Sequence, residues 1–150
     1  MNRQEILELL NNDLKNELKH LRFYLFHASS VIGLHREEYK ELFIDEAKSE
    51  MNHVLQFSDL IYGLNGTATD ESNPFEKFEN VQDIVNYSIK MEEEVVANYV
   101  QRMRDAKQWE EDHPEDVVDA QWLEIFLEGQ IQNSREDVDN LKRISKNFNV

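Results

Sequence analysis

The sequence predicts an all-α fold: a single up-down four-helix bundle with a long crossover between helices two and three. Apolar residues recur at the 3.6-residue helical period along four long segments. The 150 residues include only 4 Gly and 2 Pro, too few for the many turns of a sheet protein. A chain of this length builds one domain with a sizeable core. We therefore predict that residues 1–150 form one domain.

The first two helices are each marked by an apolar stripe and a glycine stop. The first helix runs from about Gln4 to Ile32 and stops at Gly33. The second runs from about Glu37 to Tyr62, and Gly63 ends it. The stripe of the first comprises Ile6, Leu10, Leu14, Leu21, Tyr24, Ala28 and Val31, and that of the second Tyr39, Leu42, Phe43, Phe57, Leu60, Ile61 and Leu64.

Helices three and four are marked by residues that start helices. Asn80 can cap the third helix, with Asp83 at its third position, and this helix runs to about Trp109. The segment Asp112-His113-Pro114-Glu115 marks a new start, from which the fourth helix runs to about Ile144. Only a few residues join helices one and two, and helices three and four. Each pair is therefore predicted to form an antiparallel hairpin.

The segment from Leu64 to Glu79 is unusually long for a loop inside a compact domain. Fully extended, such a segment reaches about 50 Å, whereas a helix of roughly 28 residues is about 42 Å long. The segment can therefore run the whole length of the bundle. A disordered linker is the alternative, but Phe75 and Phe78 favour a crossover packed on the surface.

The composition of the chain excludes several classes of function. A formal charge of −15 argues against nucleic acid and anionic membranes as partners, because both attract basic surfaces. The absence of cysteine excludes disulfides, thiolate catalysis and zinc–thiolate sites. The chain has no apolar stretch long enough for a signal peptide core or a membrane span. We expect a cytoplasmic protein.

Polar residues interrupt the apolar stripes near the middle of each helix. At about 100° per residue, Glu46, Glu50 and His53 fall within about 60° of one another on helix two. On helix one, Glu17 lies between Leu14 and Leu21. These carboxylates are therefore predicted to face the bundle interior.

Helices three and four each require a choice between neighbouring residues. On helix three the apolar stripe centres on Glu92, whereas Glu94 points almost to the opposite side. On helix four, an interior register through Glu128 would bury several charged and amide groups. The amphipathic register instead places Gln130 inside and Glu128 outside.

Three unpaired carboxylates cannot form a resting apolar core, because burying each one costs several kcal/mol. Two divalent cations would neutralise them. The Glu50-x-x-His53 pair places both ligands on one helix face, a spacing found in carboxylate-bridged di-metal bundles. A mixed oxygen and nitrogen donor set suits iron or manganese better than structural zinc. Taken singly, each Glu can be misphased by one residue, and a lone inward His is more often a core residue.

The pattern of these residues resembles the ferroxidase centre of non-haem ferritins of the bacterial type. The resemblance rests on Glu17 with Tyr24, on Glu50-Met51-Asn52-His53, on Glu92 and on Gln130. The segment Asn73-Pro74-Phe75-Glu76-Lys77-Phe78 is also similar to the loop that leads into helix three of those proteins. The similarity covers nearly the whole chain.

The resemblance implies a ferroxidase that oxidises Fe(II) with O2 or peroxide and holds two iron ions per chain, in the service of iron storage or detoxification. Glu17 and His53 would bind one iron, Glu50 would bridge, and Glu92 with Gln130 would serve the second. Tyr24 would either donate an electron or hydrogen-bond a carboxylate. The alternatives are a di-iron peroxidase or oxidase, and a bundle that only sequesters metal.

Several positions depart from the pattern of the family. Glutamates that build a third iron site in bacterial ferritins are replaced by Ser49, Gln132 and Asn133, and Glu46 is the inward residue that could partly replace them. The sequence ends at Val150, just after helix four, so we expect no fifth helix and leave the 24-subunit cage open.

The outer face of helix two indicates contact with other subunits. Met51 occupies the position of the haem-ligating methionine of bacterioferritins, but helix four lacks the usual Glu-x-x-His, so haem is not expected. Ile44, Met51, Leu55 and Tyr62 form a second apolar stripe. We expect a homo-oligomer that associates through the outer apolar faces of helices one and two.

Overall fold

The computed structural model describes residues 1–146 and 148. It contains four long α-helices: α1 (Arg3–Ser30), α2 (Arg36–Gly63), α3 (Val81–Asp112) and α4 (Val117–Ser145). A short 3-10 helix, Pro114–Asp116, joins α3 to α4. The predicted all-α four-helix bundle is confirmed. Within the described residues, no helix follows α4, and no helix is long and apolar enough to cross a membrane.

The helix starts follow the capping residues in the sequence. The side chain of Asn80 accepts a hydrogen bond from the backbone N–H of Asp83 at 2.9 Å, as predicted, and so satisfies one of the free donors at the start of α3. Asn2 caps α1 in the same way through the N–H of Glu5. Gly33 lies just beyond α1 with a φ of 118°, a conformation that glycine adopts without steric cost.

The crossover between α2 and α3 runs along α1. Near the start of α1, Asn11 bonds the backbone of Thr67 and Thr69. At the other end, the backbone N–H of Phe78 donates to Nε2 of His27 at 3.0 Å, and the N–H of Ile32 donates to the carbonyl of Glu79. The segment therefore spans the bundle, which confirms the predicted crossover and lets α3 start at the far end.

Two apolar clusters lie one above the other along the bundle. The first includes Leu10, Phe57, Tyr99 and Trp109, and the second includes Phe23. The inward polar side chains near the middle of the helices occupy the level between them. The hydrophobic packing of both clusters thus fixes the relative positions of α1, α2 and α3 at this level.

A buried ion pair also ties α1 to α3. Asp13 accepts two hydrogen bonds from the guanidinium of Arg102, at 2.7 and 3.0 Å, and both side chains are buried. This two-point geometry fixes how far α3 is displaced along α1. Asp13 lies about one turn before Glu17 on α1, so the ion pair also fixes the position of α3 relative to the polar side chains in the middle of the bundle.

Candidate metal centre

Three glutamates and two histidines meet in the interior of the bundle. They are Glu17 and His20 on α1, Glu50 and His53 on α2, and Glu92 on α3. His53 is 5% exposed and the other four are 1% exposed. Such a concentration of ionisable groups away from water is unfavourable unless a cation or protons compensate the carboxylates.

The first cluster contains Glu17, Glu50 and His53. Nδ1 of His53 lies 3.2 Å from Oε2 of Glu50 and 3.5 Å from Oε2 of Glu17. One ligand atom of each residue lies within 4.8 Å of the other two. Ligand atoms around one ion with bonds of about 2.1 Å are at most about 4.2 Å apart, so small side-chain adjustments would close this cluster on a cation.

The second cluster contains His20, Glu50 and Glu92. Nδ1 of His20 lies 3.5 Å from Oε1 of Glu92 and 3.9 Å from Oε1 of Glu50. Its ligand atoms also lie within 4.8 Å of one another. Glu50 is common to both clusters and directs Oε2 to His53 and Oε1 to His20. It therefore has the position of a carboxylate that bridges two cations, with one imidazole available to each.

Buried polar atoms without a hydrogen-bond partner belong to the residues of the same two clusters. Both carboxylate oxygens of Glu17, Oε2 of Glu92 and Nδ1 of His20 are buried and have no hydrogen-bond partner. Buried polar atoms in native proteins nearly always have a partner. The chemistry of the donors, carboxylate oxygen with imidazole nitrogen, fits divalent first-row metal ions. The residues present thus fit a di-metal centre.

The pKa directions describe how the centre distributes its protons without a cation. Burial, together with Glu17 and Glu92, raises the pKa of Glu50 well above 4.5. Burial also pushes the pKa of Glu17 upward, but His53, Glu50 and His20 outweigh it and leave that pKa below its usual value. Burial lowers the pKa of His53, and Glu17 more than reverses this effect. Without a cation, a proton therefore stays on Glu50 to a higher pH than on Glu17, which lies beside the imidazole of His53.

Tyr24 adjoins the second cluster. Its hydroxyl donates to Oε1 of Glu92 at 3.2 Å, and burial together with the charge of Glu92 raises the pKa of Tyr24 well above 10. The phenol is therefore a stable hydrogen-bond donor. Its contact fixes one oxygen of Glu92 near His20.

Two other residues predicted for the site lie outside both clusters. Gln130 is buried, but its amide N–H donates to Oε1 of Gln56 at 2.9 Å and its own Oε1 has no partner. Glu46 is also buried, with Oε2 unpartnered. Burial and the charges of Asp137 and Glu92 raise the pKa of Glu46 to about 8. The structure thus places Glu46 and Gln130 beside the centre, and not in the two clusters.

Sequence reasoning missed two residues. His20 forms a second Glu-x-x-His pair with Glu17, the same i, i+3 spacing as Glu50 and His53, and that spacing was the available signal. Asp137 on α4 is half-buried, and burial with the charge of Glu92 raises its pKa to about 6. Asp137 lies seven residues after Gln130, about 20° away around the helix, and that spacing was the available signal.

The fold and the site together define a helical bundle with buried clusters of carboxylates and histidines that could hold metal ions. A profile of the ferritin-like domain matches residues 7–148 of the chain. The chain therefore belongs to the ferritin-like family. No curated protein matches the sequence.

Solved structures agree with this assignment. A ferritin-like diiron-carboxylate protein from Bacillus anthracis str. Ames is 26% identical, with a TM-score of 0.83 over 95% of this chain and 96% of that one. A bacterioferritin from Rhodobacter capsulatus, described with a metal-free dinuclear site and a heme iron, is 17% identical, with a TM-score of 0.74 over 97% and 86%. A Dps protein from Bacillus brevis is 14% identical, with a TM-score of 0.81 over 95% of each chain. The last two share the fold.

Proposed function

We propose that this protein is a ferroxidase that binds two Fe(II) ions per chain as substrate and oxidises them to Fe(III), in the service of iron storage or detoxification. The observation that carries the proposal is the pair of clusters that share Glu50, each with one imidazole and one further carboxylate. The ferritin-like family and the Bacillus anthracis diiron-carboxylate relative support iron as the metal.

In this proposal Glu17 and His53 hold one Fe(II), His20 and Glu92 hold the other, and Glu50 bridges them. Three carboxylates offset three of the four positive charges that two Fe(II) ions bring, so the buried centre is close to neutral. A cation that binds Glu50 competes with the proton that burial favours on this carboxyl in the free protein. Tyr24 orients Glu92 by its hydrogen bond and acts as a positioning residue.

The redox step needs an oxidant from solution. Each Fe(II) gives up one electron, and the two electrons with two protons reduce O2 to H2O2, or reduce H2O2 to two water molecules. The geometry holds both electron donors in adjacent clusters, so a two-electron acceptor can react without release of a one-electron product. Gln130 lies outside both clusters and bonds Gln56, so it is not assigned as a ligand.

Aerobic addition of Fe(II) to the full chain tests the proposal. We expect oxidation faster than in buffer, with about two irons taken up per chain before the rate falls. Glu50→Ala and His53→Ala should lose the fast phase. Glu94→Ala is the matched control, since Glu94 is exposed on the same helix as Glu92, and it should behave like the parent.

The same experiment separates the alternatives. Metal uptake with no oxidation above buffer would leave a metal-sequestering bundle and reject the ferroxidase. Repeating the reaction without oxygen and with added H2O2 distinguishes a peroxide-dependent enzyme from one that uses O2. If Glu50→Ala, His53→Ala and the parent oxidise Fe(II) equally, the assignment of the centre is wrong.

We further propose that the protein is a cytoplasmic homo-oligomer that associates through the outer faces of α1 and α2. Support comes from an exposed apolar stripe: Leu25, Met51, Leu55 and Tyr62 are each 50% or more exposed. Light scattering on the eluted protein should give a mass of at least two chains, and Leu55→Glu should reduce it. Val118→Glu on the exposed side of α4 is the control, and equal loss of mass in both variants would reject this interface.

A further inference from the structure

A groove separates α2 from α4, and no residue of the two clusters lines it. Its volume is about 520 Å³, within the size range of small-molecule sites. Leu60 of α2 and Phe126 and Trp122 of α4 form its apolar walls. Gly129 also lines it, and a Cβ at that position would meet no atom within 4 Å. The groove therefore has room for an occupant.

Trp122 and Phe126 form an aromatic wall on one side of the groove. Trp122 is 55% exposed, and Phe126 packs edge-on against Phe57 of α2 with ring centroids 5.0 Å apart. The contact with Phe57 holds Phe126 in place beside Trp122. A flat or aliphatic body placed between these rings and Leu60 would remove a large exposed indole from water.

The base of the groove offers a hydrogen-bond acceptor. Gln130 is 5% exposed and lines the groove. Its amide N–H is committed to Gln56, so its remaining buried atom without a partner is Oε1. A buried carbonyl oxygen of this kind is stabilised by a donor group. The occupant is therefore expected to carry an N–H or O–H.

The charged residues that line the groove indicate the charge of its occupant. Its lining residues include two aspartates and no lysine or arginine. Asp119 is held by Arg3 at 2.8 Å. Asp59 has neither an ion pair nor a hydrogen bond within the described part of the chain. One free carboxylate beside an aromatic wall favours a cation, through charge pairing and through attraction to the ring face.

From these features we propose that the groove between α2 and α4 binds a small organic cation, an ammonium group on an aromatic or aliphatic body. The body packs between Trp122 and Leu60, the ammonium faces Asp59, and a donor reaches Oε1 of Gln130. This site goes beyond the proposed iron oxidation and does not depend on it.

Fluorescence titration of the full chain with 2-phenylethylammonium tests the proposal. Trp122 is the exposed indole and Trp109 is fully buried, so an occupant changes the emission of Trp122. We expect a saturable change. The neutral analogue 2-phenylethanol keeps a donor and the ring, and it should bind about two- to fivefold more weakly, the range of an exposed charge pair.

Three variants locate the binding. Asp59→Asn should weaken the ammonium about two- to fivefold and leave 2-phenylethanol unchanged. Gly129→Leu should abolish the saturable change for both compounds, because the leucine fills the groove while favouring the helix. Asp70→Asn, an exposed aspartate of the crossover, should change neither. Thermal melting followed by circular dichroism checks that each variant is folded.

The proposal is overturned if the ammonium gives no saturable change. It is also overturned if Gly129→Leu binds as the parent does, or if the ammonium and the alcohol bind the parent equally. The titrations contain no iron, so their failure leaves the proposed oxidation untouched, and loss of oxidation leaves the groove untouched.

Discussion

Replacing Glu50 by glutamine is expected to stabilise the metal-free protein while it weakens metal binding. Glu50 is 1% exposed, and burial beside Glu17 and Glu92 raises its pKa well above 4.5. The folded protein therefore keeps this carboxyl protonated to a higher pH than the unfolded chain does. Glutamine is neutral in both states and has a similar size.

The size of the effect follows from proton linkage. Holding a proton on a group with an unfolded pKa of 4.5 costs about 1.4 kcal/mol for each pH unit above that value. At pH 7 the free energy of unfolding of Glu50→Gln should exceed that of the parent by up to about 3 kcal/mol, the limit for a carboxyl that stays protonated in the folded protein, and at pH 5.5 by up to about 1 kcal/mol. For a chain of this length, 3 kcal/mol corresponds to roughly 6–12 °C in Tm.

Thermal unfolding in the presence of a chelator, between pH 5.5 and 7.5, measures this difference. Because the folded pKa is raised, the gain should grow as pH rises and vanish near and below the unfolded pKa. Glu94→Gln, at an exposed position, should stay within about 0.5 kcal/mol of the parent. In buffer without chelator, Mn(II) at 100 times its Kd should add about 2.7 kcal/mol for each bound ion to the parent, and less to Glu50→Gln. A Glu50→Gln variant that is less stable than the parent at pH 7 would refute the reasoning.

Three further outcomes are expected. His20→Ala should lose one of two bound metal ions by calorimetry while exposed His35→Ala keeps both, and equal stoichiometry would place the second ion elsewhere. Asp13→Asn should lower the free energy of unfolding in urea by about 1–2 kcal/mol, because it weakens the two hydrogen bonds from Arg102 while Arg102 keeps its ion pair with Asp105; a variant as stable as the parent would contradict this. Burial lowers the pKa of His27, so the folded protein loses stability relative to the unfolded chain as pH falls below about 6.5. His27→Gln should therefore flatten the dependence of Tm on pH in that range. An unchanged slope would argue against this role of His27.

Helical phasing predicted the interior face of α3 and α4 from the sequence. The structure buries Glu92 and exposes Glu94, and it buries Gln130 and exposes Glu128. The choice was possible because 100° per residue separates neighbours widely and long apolar stripes define the inner face. The crossover was predictable from its length and its two phenylalanines, which now contact His27.

Phasing could not predict which inward groups meet. His20 lies next to Leu21 in a stripe that reads as apolar core, and only the approach of Glu92 from α3 at 3.5 Å gives it a role in the centre. Gln130 does face inward, but its rotamer turns its amide to Gln56. Distances between helices and side-chain rotamers depend on the packing of the whole bundle, and a single sequence does not contain them in readable form.

α4 differs from the other three helices because it contributes no residue to the two clusters. Di-metal carboxylate bundles take a Glu from each of two helices and a Glu-x-x-His from each of the other two. Here both Glu-x-x-His pairs lie on the α1–α2 hairpin and the remaining Glu lies on α3. Four of the five candidate donors therefore come from two helices joined by a short loop, one comes from α3, and α4 supplies none of them. The packing of α1 against α2 therefore decides the geometry of the candidate centre more than the position of α4 does.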